Sequence, residues 1–373
     1  MLRALIVGLL LLFAAPGTTH AQSAGALVSA EPASDAPSGM RAWRIRYITS
    51  DGDGRPIAVT GIVVAPPGGG ADRPVIAWTH GTWGVVEGCG PSLSADFWTA
   101  TPALAEMVGR GYVVVAPDYP GLASAMPHPF LVGVDTARSV LDAMRAARSI
   151  PGAGAGARFA VWGESQGGHA ALWTASQARR YAPELTLAGT AAAAPPTDLP
   201  DNLRLGSDAN LRAMMSAFVA YSWSQRYGAP LATLFSRVNQ GVVTRLARNN
   251  CITLGANPRL GTMLGVVAVR NALKAKDMTR TQPWARLASL NSVEARSVPG
   301  PLLIAQAVTD PLVASQVTRA FGRRACAAGT RLRYISLPGG DHAHSARDSA
   351  TATLDWIDAR FAGRPAPSDC GRF

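Results

Sequence analysis

The sequence has few cysteines, and none of them lies in a metal-ligand spacing. Four occur in 373 residues, and no two form the close CxxC pair that is typical of structural zinc sites. Because the number is even, an oxidising compartment would allow two disulfides, in any of three connectivities. We therefore expect disulfides rather than a zinc site. The cysteines are Cys89, Cys251, Cys326 and Cys370.

Long apolar runs are also scarce. The first, residues 4–15, follows Met1-Leu2-Arg3 and is shorter than the roughly 20 residues that a membrane-spanning helix needs. Small residues follow it at Thr19 and Ala21. A short apolar core after a basic residue and before small residues is typical of a secretory signal peptide. We predict that residues 1–21 are this signal and that the protein is secreted or periplasmic.

Blocks of like charge are missing, although the formal net charge is +11. The excess comes from scattered arginines such as Arg138, Arg179 and Arg324. Scattered cations indicate a solvated basic surface, which can also contact anionic lipid surfaces. Nucleic acid is not an expected partner, because no basic motif interleaved with aromatic residues occurs.

The pattern of the chain predicts an α/β fold. Residues 22–40 are rich in Ala, Ser and Pro and predict a loose leader. The alternating runs "WRIRYITS" and "IAVTGIVVAP" flank the turn sequence "DGDGRP", which indicates an antiparallel hairpin. Further on, short apolar runs without polar alternation are separated by helical patterns such as residues 134–148. Such strands are typical of a mostly parallel sheet that helices cover on both faces.

The strand pattern stops between residues 198 and 296, where the periodicity is helical. We predict a helical cap there, inserted into a core of residues 41–197 and 297–373, above the strand ends where ligands bind. The apolar stripe of this cap fits internal packing or, alternatively, the lining of an apolar substrate cavity. The candidates for the cavity wall are Trp83, Tyr119, Met214, Met215, Phe218 and Tyr221.

One short motif carries the strongest chemical signal. In "FAVWGESQGGHA", Ser165 stands between Gly163 and Gly167, after an apolar run and before a helical pattern. A sharp strand-to-helix turn exposes a serine hydroxyl, and glycines leave it the room it needs. We predict that Ser165 is a nucleophile. His169, one helical turn later, is expected to pack beneath the turn.

A serine nucleophile needs a histidine base and a carboxylate that orients it. In this architecture the chain order is nucleophile, acid, base, which leaves His342 or His344 in "PGGDHAHSA". We favour His342, because it comes first after the last predicted strand. The favoured acid is Asp310, which ends the run "PLLIAQAVTD". The competing acids are Asp341 and Asp198.

The oxyanion of acyl transfer needs backbone donors that already point at it. Gln166, directly after the serine, is predicted to supply one N–H group. The loop "THGTWG" is predicted to supply the second from Thr82, with a plain turn as the alternative. Trp83 in this loop is expected to narrow the mouth of the site. Asp341, His342 and His344 could also be read as a metal cluster, but no second group of ligands supports this.

Taken together, these segments resemble the secretory lipase family, a branch of the α/β-hydrolases with fungal and bacterial extracellular members. The resemblance runs from residue 74 to residue 370 and implies a triad of Ser165, Asp310 and His342. It implies hydrolysis of carboxylic esters with apolar acyl chains, of the triacylglycerol type, without metal or organic cofactor. The segments are "VIAWTHGTWGVVEGCGPS", "GYVVVAPDYPGL", "HPFLVG", "VWGESQGGHAALW", "VTDPLV", "PGGDHAHSA" and "WIDARFAGRPAPSDC".

With the resemblance in place, we expect Cys89 to pair with Cys251, joining the loop of Thr82 to the cap. Cys326 would then pair with Cys370 and hold the C-terminal tail. Three other functions remain open at this point. They are an acyltransferase with the same acyl-enzyme, a serine peptidase or aminopeptidase on this fold, and a binding protein without catalytic activity.

Overall fold

The computed structural model describes residues 23–252, 258–339 and 341–372. Its centre is a sheet that has nine strands within these residues, in the order β1-β2-β3-β5-β4-β6-β7-β8-β9. The pairs β1–β2, β2–β3 and β3–β5 are antiparallel, and all later pairs are parallel. The strands are β1 (Leu27–Pro32), β2 (Arg41–Ser50), β3 (Pro56–Ala65), β4 (Arg73–Thr79), β5 (Val113–Pro117), β6 (Ala155–Glu164), β7 (Thr186–Ala193), β8 (Leu302–Ala307) and β9 (Leu332–Leu337).

Helices cover both faces of the sheet. Val113 and Val115 of β5 belong to a buried cluster with α3 and α4, whereas Val114 belongs to a cluster with α2 and α12. Both faces are therefore dry, which explains why the strands have no polar alternate residues. The helices of the core are α1 (Phe97–Ala100), α2 (Leu104–Gly109), α3 (Gly133–Arg148), α4 (Gln166–Tyr181), α10 (Ser315–Ala327), α11 (Ser345–Asp348) and α12 (Ala350–Phe361).

The predicted loose leader is wrong for residues 27–32. They form β1, which pairs with β2 in a register that places Ala30 opposite Ile45. Asp35 then receives a bidentate hydrogen bond from Arg44, at 2.7 and 2.8 Å. The sheet edge explains the difference, because β1 gives backbone partners to an edge of β2 that would otherwise be open. The predicted signal peptide, residues 1–21, lies outside the described residues.

Between β7 and β8, the described part of the chain forms helices and no strand. We call residues 198–296 the cap. Its own buried cluster includes Phe218, Trp223 and Trp284, and it extends to Phe130 of the core. The cap helices are α5 (Leu199–Leu205), α6 (Ala209–Tyr227), α7 (Arg237–Arg248), α8 (Leu260–Ala275) and α9 (Trp284–Asn291).

Two disulfides connect distant parts of the fold, with the expected pairing. Cys89 bonds Cys251 across 162 residues and links the loop after β4 to the cap. Cys326 of α10 bonds Cys370 near the end of the chain. Among the described helices, none is long and apolar enough to cross a membrane.

Candidate active site

Ser165 sits on a sharp turn between β6 and α4. Its backbone has φ 55° and ψ −122°, a conformation that a residue with a side chain rarely adopts. A Cβ atom on Gly163 would lie 2.0 Å from Oγ1 of Thr79, and one on Gly167 would lie 1.8 Å from the Thr79 carbonyl oxygen. The two glycines are therefore required by the close approach of β4 to the turn.

A continuous chain of hydrogen bonds leads from the turn to a buried acid. Nε2 of His342 lies 2.7 Å from Oγ of Ser165, and Nδ1 lies 2.8 Å from Oδ2 of Asp310. Because a carboxylate accepts hydrogen bonds, Nδ1 carries the ring proton and Nε2 is free to accept the serine hydroxyl. The structure thus brings together three residues that lie far apart in the sequence.

Neighbouring groups fix the orientation of Asp310. Its Oδ1 accepts the backbone N–H groups of Leu312 and Val313, both at 2.8 Å. Its Oδ2 accepts the side-chain amide of Gln306 at 3.0 Å, besides the ring of His342. Both oxygens are therefore held, and the carboxylate has little freedom to turn away from the imidazole.

The surroundings of His342 favour its protonated form. Burial lowers the pKa of His342, but the hydrogen bond to Asp310 and the charge of that carboxylate outweigh burial. The charges of Glu164 and Asp341 act in the same direction, so the net effect is a raised pKa. An imidazole of this kind takes up a proton more readily than an isolated one.

The competing residues have other partners. Nδ1 of His344 lies 2.7 Å from Oδ1 of Asp341, on the exposed side of the loop. Asp198 caps α5 by accepting the N–H of Asp201 at 3.1 Å. His169 is buried beneath the turn, where its Nε2 lies 2.7 Å from the Asn291 carbonyl oxygen. Of the alternatives in the sequence, the geometry therefore favours His342 and Asp310.

The two residues expected to supply the oxyanion donors line one small cavity. Thr82, Ser165 and Gln166 all line it. Gln166 is the first residue of α4, so its N–H has no acceptor within the helix and lies at the positive end of the helix dipole. The loop of Thr82 packs closely against the turn, because a Cβ on Gly81 would lie 3.9 Å from Cβ of Ser165.

A buried polar network beneath these donors was not predicted from the sequence. The Tyr119 hydroxyl donates to the His80 carbonyl oxygen at 3.0 Å, and the ring of Tyr119 stacks on that of His80. The Gln166 side-chain amide donates to Nε2 of His128 at 2.8 Å. Burial lowers the pKa of His128 to about 3, so this ring is a neutral support for the α4 terminus. The "HPF" segment was the only signal for it.

Glu164, directly before Ser165, was also missed. Its Oε1 accepts the backbone N–H of Ala346 in α11 at 2.7 Å. Burial raises the pKa of Glu164 from its ordinary 4.5 to about 7, although that N–H group and His342 lower it. A carboxyl group that ionises near neutral pH therefore lies beside Ser165 and His342.

A large cavity of about 570 Å³ opens at Ser165. Three of the predicted wall residues line it, namely Trp83, Met214 and Met215. The predictions for Tyr119, Phe218 and Tyr221 are wrong, because these residues do not line either cavity at the serine. Tyr119 lies beneath His80, and Phe218 packs against Phe130 inside the cap. Helix α6 is buried over much of its surface. Some of its apolar residues therefore line the cavity, and others pack inside the cap.

No set of three or more histidine, cysteine, aspartate or glutamate residues in the described chain is arranged to hold a metal ion. Asp341, His342 and His344 are adjacent in sequence, but the rings of His342 and His344 turn to different carboxylates.

The sequence matches the family model described as secretory lipase over residues 95–369. The chain belongs to the secretory lipase family. Lipase 10 of Candida albicans is 24% identical over 364 residues, which cover 89% of this chain and 74% of that protein. A protein of Mycobacterium tuberculosis described as a probable inactive lipase is 25% identical over 353 residues, 88% of this chain and 75% of its own.

Solved structures show the same fold. The structure of Candida antarctica lipase A superposes with a TM-score of 0.76 at 19% identity, covering 95% of this chain and 86% of that one. The rice cell wall degrading esterase LipA of Xanthomonas oryzae gives a TM-score of 0.70 at 19% identity, covering 91% and 98%. The fold is therefore that of an α/β-hydrolase with a mostly parallel sheet, and the family is one of lipases.

Proposed function

We propose that this protein is a serine carboxylic-ester hydrolase that works through an acyl-enzyme on Ser165. The observation that carries the proposal is the chain of hydrogen bonds from Ser165 through His342 to Asp310. A serine hydroxyl is a weak nucleophile, and a base within hydrogen-bond distance activates it. The names of the relatives, lipases and an esterase, support the same class of reaction.

The reaction has two steps. Oγ of Ser165 attacks the ester carbonyl carbon while Nε2 of His342 takes the hydroxyl proton, and the resulting oxyanion accepts hydrogen bonds from the N–H groups of Thr82 and Gln166. His342 then returns the proton to the alcohol oxygen, and the alcohol leaves. A water molecule, activated by the same ring, attacks the acyl-enzyme and releases the acid. Asp310 holds the ring in the required tautomer and stabilises its cationic form.

The cavity walls support esters with apolar groups as substrates. Side chains of Met214, Met215 and Leu211 line the large cavity from the cap, and apolar walls with a few polar groups are typical of small-molecule sites.

The alternative functions differ in what they need at the serine. An acyltransferase would use the same acyl-enzyme with another acceptor. A peptidase would need a polar subsite for an amine. A binding protein would not need a histidine aligned with the serine. One relative is nevertheless described as a probable inactive lipase.

Replacement of the nucleophile tests the proposal. Ser165→Ala should lower kcat for p-nitrophenyl acetate by about 10⁴-fold or more, because the other residues of a triad cannot act without it. Ser176→Ala in the same helix α4 is the matched control, since its hydroxyl bonds only the Trp173 carbonyl oxygen, and it should keep full activity. Retention of activity by Ser165→Ala would refute the mechanism.

A second pair of variants tests the base. His342→Gln should abolish turnover, whereas His344→Gln should keep most of it, because His344 bonds Asp341 and not Ser165. The reverse result would move the role of base to His344. Formation of an octyl ester in place of the free acid, when octanol is added as acceptor, would favour the acyltransferase.

We further propose that the mature protein is exported and contacts lipid surfaces through α8. Leu260 and Leu264 are 68% and 63% exposed, and Met263 and Val267 extend the same helical face. The helix has no acidic residue; Arg259 directly precedes it and Lys274 lies in its last turn. An exposed apolar stripe with cations at its ends is typical of a surface that lies on anionic lipid.

Vesicle sedimentation tests this surface. With phosphatidylcholine vesicles that contain phosphatidylglycerol, Leu260→Asp with Leu264→Asp should lose most of the binding. Leu290→Asp, at an exposed leucine on α9, should bind like the natural protein. Equal binding of all three proteins would exclude α8 as the contact.

A further inference from the structure

Two cavities of very different size meet at Ser165. The large one is about 570 Å³ and the small one about 40 Å³. Both are lined by Thr82 and Ser165, so both reach the reacting atoms. Of the groups around the serine, His342 and Glu164 line the large cavity and not the small one, whereas Gln166 lines the small cavity and not the large one.

The chemistry assigns one side of the ester to each cavity. The alcohol oxygen receives the proton from Nε2 of His342, so this oxygen must lie on the side of the imidazole. The carbonyl oxygen lies between the donors of Thr82 and Gln166. The acyl chain is bonded to the same carbon and must extend in the remaining direction, away from the imidazole and past Gln166.

We infer that the alcohol group occupies the large cavity and the acyl chain the small one, so that the protein selects short acyl groups on bulky alcohols. The inference rests on the proposed function, and it narrows the expected triacylglycerol-type substrate to short-chain esters. A group the size of a water molecule needs about 10–15 Å³ of such space. The small cavity, which Thr82 and Gln166 also line, therefore admits about three such groups including the carbonyl oxygen, which corresponds to acyl chains from acetyl to about propionyl.

The walls of the small cavity are anchored on the side of the core. Val313 donates its N–H to Asp310 at 2.8 Å. The wall therefore cannot move outwards at Val313 without breaking this hydrogen bond to Asp310. Phe130 is held by a hydrogen bond from its N–H to the Ser222 hydroxyl at 2.7 Å. Because the wall is closely packed, each methylene group added to the acyl chain beyond the space available would raise the free energy of the bound substrate. Leu203 on α5 also lines this cavity and is only partly buried.

A pair of isomeric esters tests the assignment without a change in hydrophobicity. Octyl acetate has a short acyl chain and a long alcohol, and ethyl octanoate has the reverse. We expect kcat/KM to be at least about tenfold higher for octyl acetate, since one methylene group too many in an apolar pocket already changes the rate by 10-fold or more. Equal rates, or a preference for ethyl octanoate, would overturn the inference while leaving the hydrolase function intact. If neither ester is hydrolysed, the proposed function fails, and the inference fails with it.

A variant of the wall connects the preference to this cavity. Leu203→Ala should enlarge the small cavity and raise the relative kcat/KM for ethyl octanoate by about tenfold, with octyl acetate turnover retained. Leu205→Ala on the same helix is the matched control, because Leu205 is exposed and lines neither cavity, and it should leave the ratio unchanged. An unchanged ratio in a folded Leu203→Ala protein, as judged by circular dichroism, would contradict the assignment.

Discussion

Oε1 of Glu164 accepts the backbone N–H of Ala346 at 2.7 Å, and this bond joins the residue before the nucleophile to the helix after the base. The contact links two loops that lie far apart in the sequence. It also keeps a carboxyl group close to His342, whose pKa this carboxyl group helps to raise. Glu164 thus holds the helix that follows His342, and its ionisation affects the pKa of His342 directly.

Glu164→Gln should shift the acid limb of the kcat/KM profile to lower pH by roughly half a unit, because removal of a nearby negative charge lowers the pKa of His342. The amide oxygen can still accept the Ala346 N–H, so kcat at pH 8 should change little. The measurement is the pH profile of p-nitrophenyl acetate hydrolysis. Glu87→Gln, at an exposed site, controls for the loss of charge, and an identical shift there would rule out a local effect.

The same substitution should change how stability depends on pH. Because the pKa of Glu164 is raised in the folded protein, from 4.5 to about 7, the folded state binds the proton more tightly than the unfolded state. This contribution to stability is complete below pH 4.5 and is lost as the pH rises to about 7. Urea unfolding at pH 5 and pH 8 should show a smaller difference for Glu164→Gln than for the natural protein.

Asp310→Asn should lower kcat by about 10⁴-fold with little change in KM, because an amide nitrogen facing Nδ1 would favour the wrong tautomer of His342. Leu312 and Val313 can still donate to the amide oxygen, so the loop should keep its shape. Steady-state kinetics measure the loss. Asp341→Asn is the control, since Asp341 bonds His344, and a comparable loss there would contradict the assignment of the acid.

Gly163→Ala should lower the free energy of unfolding by about 3 kcal/mol or prevent folding, because the new methyl group has no room beside Thr79. Gly241→Ala in α7 is the matched control. A Cβ there would meet only the end of the Arg245 side chain, at 3.6 Å, and alanine should stabilise the helix by about 0.5–1 kcal/mol. Urea unfolding measures both. A mild effect at Gly163 would show that the turn is looser than the structure indicates.

Removal of the Cys89–Cys251 disulfide should destabilise the protein more than removal of Cys326–Cys370. The first closes a loop of 162 residues and the second one of 44. Loop-closure entropy makes the difference about 1 kcal/mol, within an overall cost of roughly 2–5 kcal/mol for each bond. Paired cysteine-to-alanine variants and urea unfolding test this order, and the opposite order would show that local packing dominates.

Much of the site could be predicted from the sequence because strand ends and turns have local signals. "GESQG" predicts a sharp turn, and "VTD" and "DHAH" mark strand ends. No local signal tells which side of a buried helix faces a cavity and which side packs against other helices. Phe218 of α6 was therefore expected at the cavity, whereas it lies in the core of the cap. The leader was misjudged for a related reason, since β1 depends on the open edge of β2 rather than on its own composition.

The sequence alone determined the α/β pattern, the nucleophilic turn and the order of acid and base, because each depends on neighbouring residues. Tertiary structure decided what depends on distant ones. It placed His342 rather than His344 at Ser165, joined Glu164 to Ala346, and set the sizes of the two cavities. Cavity volume is what remains after core and cap have packed, so no local pattern of residues encodes it.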